Sequence, residues 1–183
     1  TISDDEYKNI INHLKELPSK IELLLKDTEI YKKIALELKD KTTCFYLGRG
    51  LDYYTAMESA LKLKEISYIY TESFAAGELK HGTIALIEDG TPVFVIATQE
   101  RLYEKVISNV KEVKARGAKV FEITHLDNNL DVSDERILIP STIEILMPII
   151  SVVASQLIAY YASLAKGNDV DKPRNLAKSV TVE

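Results

Sequence analysis

The 183-residue sequence holds one cysteine, no tryptophan, three histidines, seven glycines and five prolines. The single thiol, Cys44, lies in an apolar run, so no intramolecular disulfide can form and no Cys-rich metal site exists. A reducing, cytoplasmic setting is the simplest expectation. Basic residues are in deficit, 23 against 28 acidic ones, for a net charge of -5. That argues against a nucleic-acid partner, because a phosphate-binding surface needs an excess of Lys and Arg. Long unbroken apolar stretches are also missing. The longest, Ile143 to Ala165, is interrupted by Glu144, Pro148, Ser151, Ser155 and Gln156 and reads as a buried helix, not a membrane span. No signal-peptide pattern opens the sequence. Because residue 1 is Thr, a processed chain or a piece of something longer is expected. Internal repeats and low-complexity linkers are absent.

What is present is an ordinary globular composition, 46% hydrophobic and 28% charged, at a length that suits one domain with a full core. The first 40 residues contain no glycine and little chemistry. Tyr7, Ile10, Ile11, His13 and Leu14 recur at helical spacing, Pro18 is expected to start a second helix through Ile21, Leu24 and Leu25, and a third runs around Ile30 to Leu38. Beyond them strands and helices alternate. Thr42 to Leu47 is a β-favouring run that ends in Gly48-Arg49-Gly50 and leads into a helix from about Tyr53 to Ser67. Further strands are expected at Tyr68 to Glu72, Pro92 to Ala97, Lys119 to Ile123 and Arg136 to Ile139, with helices at Glu100 to Arg116 and Ile143 to Ala165. This alternation predicts an α/β domain built on a doubly wound parallel sheet of roughly five strands, helices on both faces, and ligands at the carboxyl ends of the strands.

Four stretches could carry chemistry. Gly48-Arg49-Gly50 could bring backbone amides to an anion at a helix start, or could be a tight turn with no ligand. Tyr53 stands where the dinucleotide fingerprint needs its third glycine, so NAD is poorly supported. On the following helix Glu58, Lys62 and Glu65 share a face, either as a solvated ion-pair ladder or as site groups, while Met57 and Leu61 are assigned to a buried face. The stretch Glu72 to Thr83 carries His81 between charged neighbours and small residues, which fits a shaped loop; a histidine suits proton transfer near neutral pH but is often structural. His13 and His125 read as structural. Last, Lys178 lies in an apolar tail between Ala177 and Ser179. Held in a semi-dry pocket it would lose proton affinity and attack a carbonyl as a free amine; otherwise it is an exposed terminal lysine.

Taken together, "ESALKLKEISYIYTESFAAGELKHGTIALI" and the closing "KGNDVDKPRNLAKSVTVE" resemble the C-terminal half of the isomerase domain in the glucosamine-6-phosphate synthase family, the glutamine-dependent fructose-6-phosphate aminotransferases. The resemblance runs from about Gly48 to the last residue. It implies a sugar isomerase (SIS) domain, a flavodoxin-like three-layer α/β fold, over residues 41–167, with a helical lead-in over 1–40 and an active-site tail over 168–183. It also implies that Glu65 moves a proton between sugar carbons 1 and 2, that His81 opens the sugar ring from the neighbouring subunit of a homodimer, and that Lys178 forms an imine with the open ketose. Lys62, Arg174 and Ala177 would line the site, without metal or other cofactor. Nothing here resembles the family's glutaminase domain, and the first SIS unit with its phosphate-gripping Ser/Thr loop is missing, so the isolated chain is expected to fold but to turn over little fructose 6-phosphate. Ser59 and Thr83 replace the family's usual Gly and Pro without removing a functional group. A non-catalytic phosphosugar-binding module with a sensing role is the alternative, and an interaction domain using the helical lead-in is a third reading.

Overall fold

A computed structural model describes residues 2–127 and 132–174. Helix α1, Asp4–Lys26, begins at a capping box: the Ser3 hydroxyl accepts from the Glu6 amide at 3.2 Å, and the Glu6 carboxylate accepts from the Ser3 amide at 2.8 Å. Pro18 lies inside this helix and does not start a new one. Proline costs a helix one hydrogen bond to the carbonyl four residues back, and Pro18 is exposed, so water can serve that carbonyl while Leu17 and Leu24 anchor the helix on either side. Helix α2, Glu29–Leu38, buries Tyr31, Ile34, Ala35 and Leu38.

The sheet comes next: β1 Thr43–Gly48, β2 Tyr70–Ala75, β3 Pro92–Ile96, β4 Lys119–Thr124 and β5 Glu135–Leu138. All neighbours are parallel, in the order β2-β1-β3-β4-β5. This is the flavodoxin-like winding, in which the chain reverses direction across the sheet between β1 and β3. Three helices complete the layers: α3 Leu51–Ser67, α4 Glu100–Lys114 and α5 Met147–Ala165. The strand expected at Tyr68 to Glu72 starts later and runs further. Tyr68 is spent on the turn that ends α3, where it adopts a left-handed conformation at φ 62°.

Alternate strand residues feed two cores, as a period of two requires. On one face Tyr46, Phe94 and Phe121 stack across three strands, with ring centroids 4.7 and 4.9 Å apart, beneath α2, α3 and α5. On the other, Phe45, Leu47, Val93, Val95 and Val120 meet Tyr103, Val106, Val110 and Val113 of α4. Helix α5 with its preceding turn is apolar and long enough to cross a membrane by composition, yet here it is the centre of the first core, against α2 and α3.

The contact between α3 and α5 explains a misassigned face. Ala56, Ser59 and Ala60 of α3 are buried, as are Ser151, Ala154, Ser155 and Ala159 of α5. The serines return their hydroxyls to carbonyls of their own helices, Ser59 to Thr55 at 2.7 Å and Ser151 to Met147 at 3.0 Å. Small side chains on both helices let the backbones approach closely. Met57 and Leu61, expected inside, are therefore turned outward at 47% and 41% exposure.

Candidate active site

At the carboxyl end of β1 the start of α3 is occupied by the chain itself. Gly48 is required there, because a Cβ would lie 2.3 Å from the Asp52 carbonyl oxygen. The Leu51 amide at the start of α3, an anion-seeking group in this kind of fold, instead donates to the Gln99 side-chain oxygen at 2.7 Å. The Gln99 amide nitrogen donates to Glu144 at 2.8 Å, and Arg101 reaches the same carboxylate at 3.2 Å. Beside it the buried Asp52 carboxylate accepts from the Thr98 amide at 2.8 Å and from the Thr98 hydroxyl at 2.5 Å. Burial pushes the Asp52 carboxyl up to about 6, against the pull of the Thr98 and Gln99 hydrogen bonds. Of the two readings of Gly48-Arg49-Gly50, the geometry is that of a tight turn filled from within.

The candidate residues Lys62 and Glu65 lie at the other end of α3. A parallel strand-helix-strand unit sends its helix back from the carboxyl edge of the sheet to the amino edge, and 17 residues make that run roughly 25 Å. There Lys62 Nζ donates to Glu65 at 2.9 Å and lies 3.5 Å from Glu58. The hydrogen bond to Glu65 holds the Lys62 ammonium above its ordinary pKa. Both side chains stay about a third exposed. Glu65 stands at a partly open helix end and not at the floor of a pocket. A cavity of about 480 Å³ elsewhere on the amino edge, walled by Asp40, Lys41, Tyr70, Leu86, Glu88 and Asp89 among others, holds none of the candidate groups.

Arg174 joins this end. Its backbone amide donates to the Tyr68 hydroxyl at 2.9 Å and its guanidinium lies 4.0 Å from the centre of the same ring, three residues beyond Glu65. Nearby, the Asn168 side-chain amide donates to the Ile66 carbonyl at 3.1 Å, and the Ser163 hydroxyl donates to the same carbonyl at 2.9 Å.

His81 is not brought to them. It closes a short 3-10 turn, Leu79–His81, anchored by buried Leu79 beyond the carboxyl end of β2, and its ring is 63% exposed and 3.9 Å from Glu78. Within one chain Glu65 and His81 thus lie at opposite edges of the sheet. Glu78 and Gly77 share a cavity of about 380 Å³ with Tyr53 and Tyr54, which places the His81 segment beside the start of α3. Lys178 and Ala177 lie outside the described residues. Of the two histidines read as structural, His13 is 3.4 Å from the Thr142 hydroxyl, and burial lowers the His125 pKa.

Asp52, Thr98, Gln99 and Glu144 were not singled out in the sequence. Their only local signals were an acidic residue just inside a helix that follows a glycine turn and a polar Thr-Gln pair after an apolar strand; their partners are 45 or more residues away.

The SIS domain family model matches residues 37–166. The whole chain is 54% identical to part of the glutamine–fructose-6-phosphate aminotransferase (isomerizing) of Caldanaerobacter subterraneus and 48% identical to part of that of Thermococcus kodakarensis. It spans 30% of the length of each. Among solved structures, the C-terminal domain of glucosamine-fructose-6-phosphate aminotransferase from Francisella tularensis is similar over 93% of this chain and 49% of that one, with a TM-score of 0.87 and 33% identity.

Proposed function

The chain belongs to the SIS domain family, and from that premise we propose that it is the C-terminal SIS unit of a glutamine-dependent fructose-6-phosphate aminotransferase, supplying one half of the site that makes glucosamine 6-phosphate. The observation that carries this reading is the convergence of Lys62, Glu65 and the tail residue Arg174 on one helix end, in a chain 54% identical to part of such an enzyme. On this reading residues 41–167 form the SIS unit, 1–40 lead into it, and 168–183 form the tail that crosses the sugar.

The roles are those the family resemblance implies. The hydrogen bond to Glu65 raises the Lys62 pKa, so Lys62 is a poor nucleophile and serves to orient the Glu65 carboxylate. The imine-forming amine on this reading is Lys178: its nitrogen attacks carbon 2 of the open ketose and water leaves, after which ammonia takes over that carbon and the lysine amine is freed. Glu65 removes a proton from carbon 1 and returns it to carbon 2 while the carbon-1 hydroxyl proton passes to the imine nitrogen, which leaves an aldose aminated at carbon 2. Arg174 and Ala177 line the sugar. The phosphate contacts, and the glutaminase domain that releases ammonia from glutamine, belong to parts of the protein outside this chain.

His81 reaches the site from a second copy. Tyr54, Met57 and Leu61 form an exposed stripe along α3, between the His81 end and the Glu65 end. A two-fold axis through the middle of that stripe lays α3 antiparallel on its partner, covers the apolar groups, and brings each His81 to the other copy's Glu65. The reading places the protein in the cytoplasm, in keeping with a single buried thiol. A sensing module that binds phosphosugar without chemistry has no use for Glu65, His81 and Lys178 together.

The test is chemical trapping in the full-length protein. Borohydride added with fructose 6-phosphate should leave a sugar fixed to Lys178; Lys178→Arg should abolish the adduct and Lys172→Arg should keep it. An adduct mapped to Lys62 or Lys64, or none from an active enzyme, refutes the assignment.

A further inference from the structure

Helices α4 and α5 end conventionally: the chain turns out of each through a glycine with positive φ, Gly117 at 88° and Gly167 at 76°. Helix α3 ends differently. Its turn is made by Tyr68 at φ 62°, the one positive-φ residue other than glycine among the described residues. A bulky side chain in the left-handed region is strained, and glycine there would relieve the strain. A strained backbone position maintained at a candidate site calls for a compensating role.

The role is visible in what the ring touches. Tyr68 holds Arg174 twice, through its hydroxyl, which accepts from the Arg174 amide, and through its face, which carries the guanidinium. These contacts fix both the backbone and the side chain of Arg174, within the tail. The segment just before is tied to the same place: Asn168 donates to the carbonyls of Ile66 and Ser67, and Asp169 accepts from the amides of Asp171 and Lys172 at 2.9 and 3.1 Å. The end of the helix that bears Glu65 is thus also the clamp for residues 168–174.

We propose that Tyr68 is a positioning residue: its left-handed backbone aims the ring at Arg174, and that grip holds the chain at Arg174 against the helix end that bears Glu65. It touches no reacting atom. The proposal rests on the reading of Lys178 given above, but the clamp itself can be measured without it. Three forms of the full-length protein are compared: wild type, Tyr68→Phe and Tyr68→Gly.

Glycine suits the backbone conformation and lacks the ring, so Tyr68→Gly should melt near the wild-type temperature while trypsin cuts after Arg174 faster. Its kcat should fall at least about tenfold with KM changed no more than about threefold, because the loss is one of orientation at a bound substrate. Its borohydride-trapped sugar on Lys178 should fall in step. Tyr68→Phe keeps the face and loses the hydroxyl, and should recover most of the rate. If wild type carries no sugar on Lys178, the lysine assignment fails, while faster cleavage after Arg174 in Tyr68→Gly still supports the clamp. If Tyr68→Gly keeps wild-type cleavage and turnover, or loses activity only by unfolding, the clamp is wrong.

Discussion

At the start of α3 the Leu51 amide, the Asp52 carboxylate, Thr98, Gln99 and Glu144 find one another, and the turn is shut by the chain's own side chains. At its far end Lys62 and Glu65 have each other but remain about a third exposed, and the only group from a distant part of the described chain that joins that helix end through a side-chain stack is Arg174. The first end has the form of a ligand site, and its turn amide and its buried carboxylate are paired within the chain, with cavities of about 380 and 240 Å³ beside it. The second lies where an open α/β sheet does not ordinarily bind ligands, and it is open. A polar network satisfied from within rigidifies a fold; ionisable groups left partly open can meet a substrate and a partner. On the proposed function, the strand ends are tied up in internal hydrogen bonds while the helix end contributes Lys62, Glu65 and Arg174 to a site completed from elsewhere.

The largest expected effect breaks the open end. Glu65→Gln in the full-length protein keeps the shape of the side chain and removes the base, so turnover should fall on the order of a hundredfold to ten-thousandfold with sugar binding largely retained. Loss of binding in step with rate would instead make Glu65 a structural partner of Lys62.

A smaller effect tests the internally paired end. In the folded chain the Asp52 carboxyl is raised to about 6 from an ordinary 3.8. A raised carboxyl contributes stability that is fully present below the unfolded value and lost as pH rises through the folded one. Compared with Asp52→Asn, wild type should therefore lose on the order of 2–3 kcal/mol in urea unfolding between about pH 4 and pH 7. Equal slopes in the two proteins would mean that Asp52 is not held in the buried pocket described.

Much of the fold was legible in the sequence for a physical reason. Runs such as Pro92 to Ile96 are buried on both faces of a parallel sheet, and such strands must be continuously apolar. The features that were not legible depend on what lies opposite. Met57 and Leu61 have the spacing of a buried face, but the serines and alanines of α5 claim the neighbouring one. Pro18 looks like a helix start until Leu17 and Leu24 are seen to anchor a single helix across it. Tyr68 carries no turn signal of the kind glycine or asparagine gives. Lys62, Glu65 and His81 could be named from residue type and resemblance, whereas their separation to opposite edges of the sheet follows from the path of α3 and β2.

That separation is what makes the proposed site a shared one, and subunit mixing tests it most directly. Full-length Glu65→Gln and His81→Ala proteins, each nearly inactive, are unfolded or dissociated together in equal amounts and reassembled. If each site joins Glu65 of one copy to His81 of the other, every mixed dimer holds one intact site, and random pairing in a two-fold dimer should restore about a quarter of wild-type activity. Activity that stays at the level of the separate mutants would contradict the account, because it would place both groups in the same copy or leave one of them out of the chemistry.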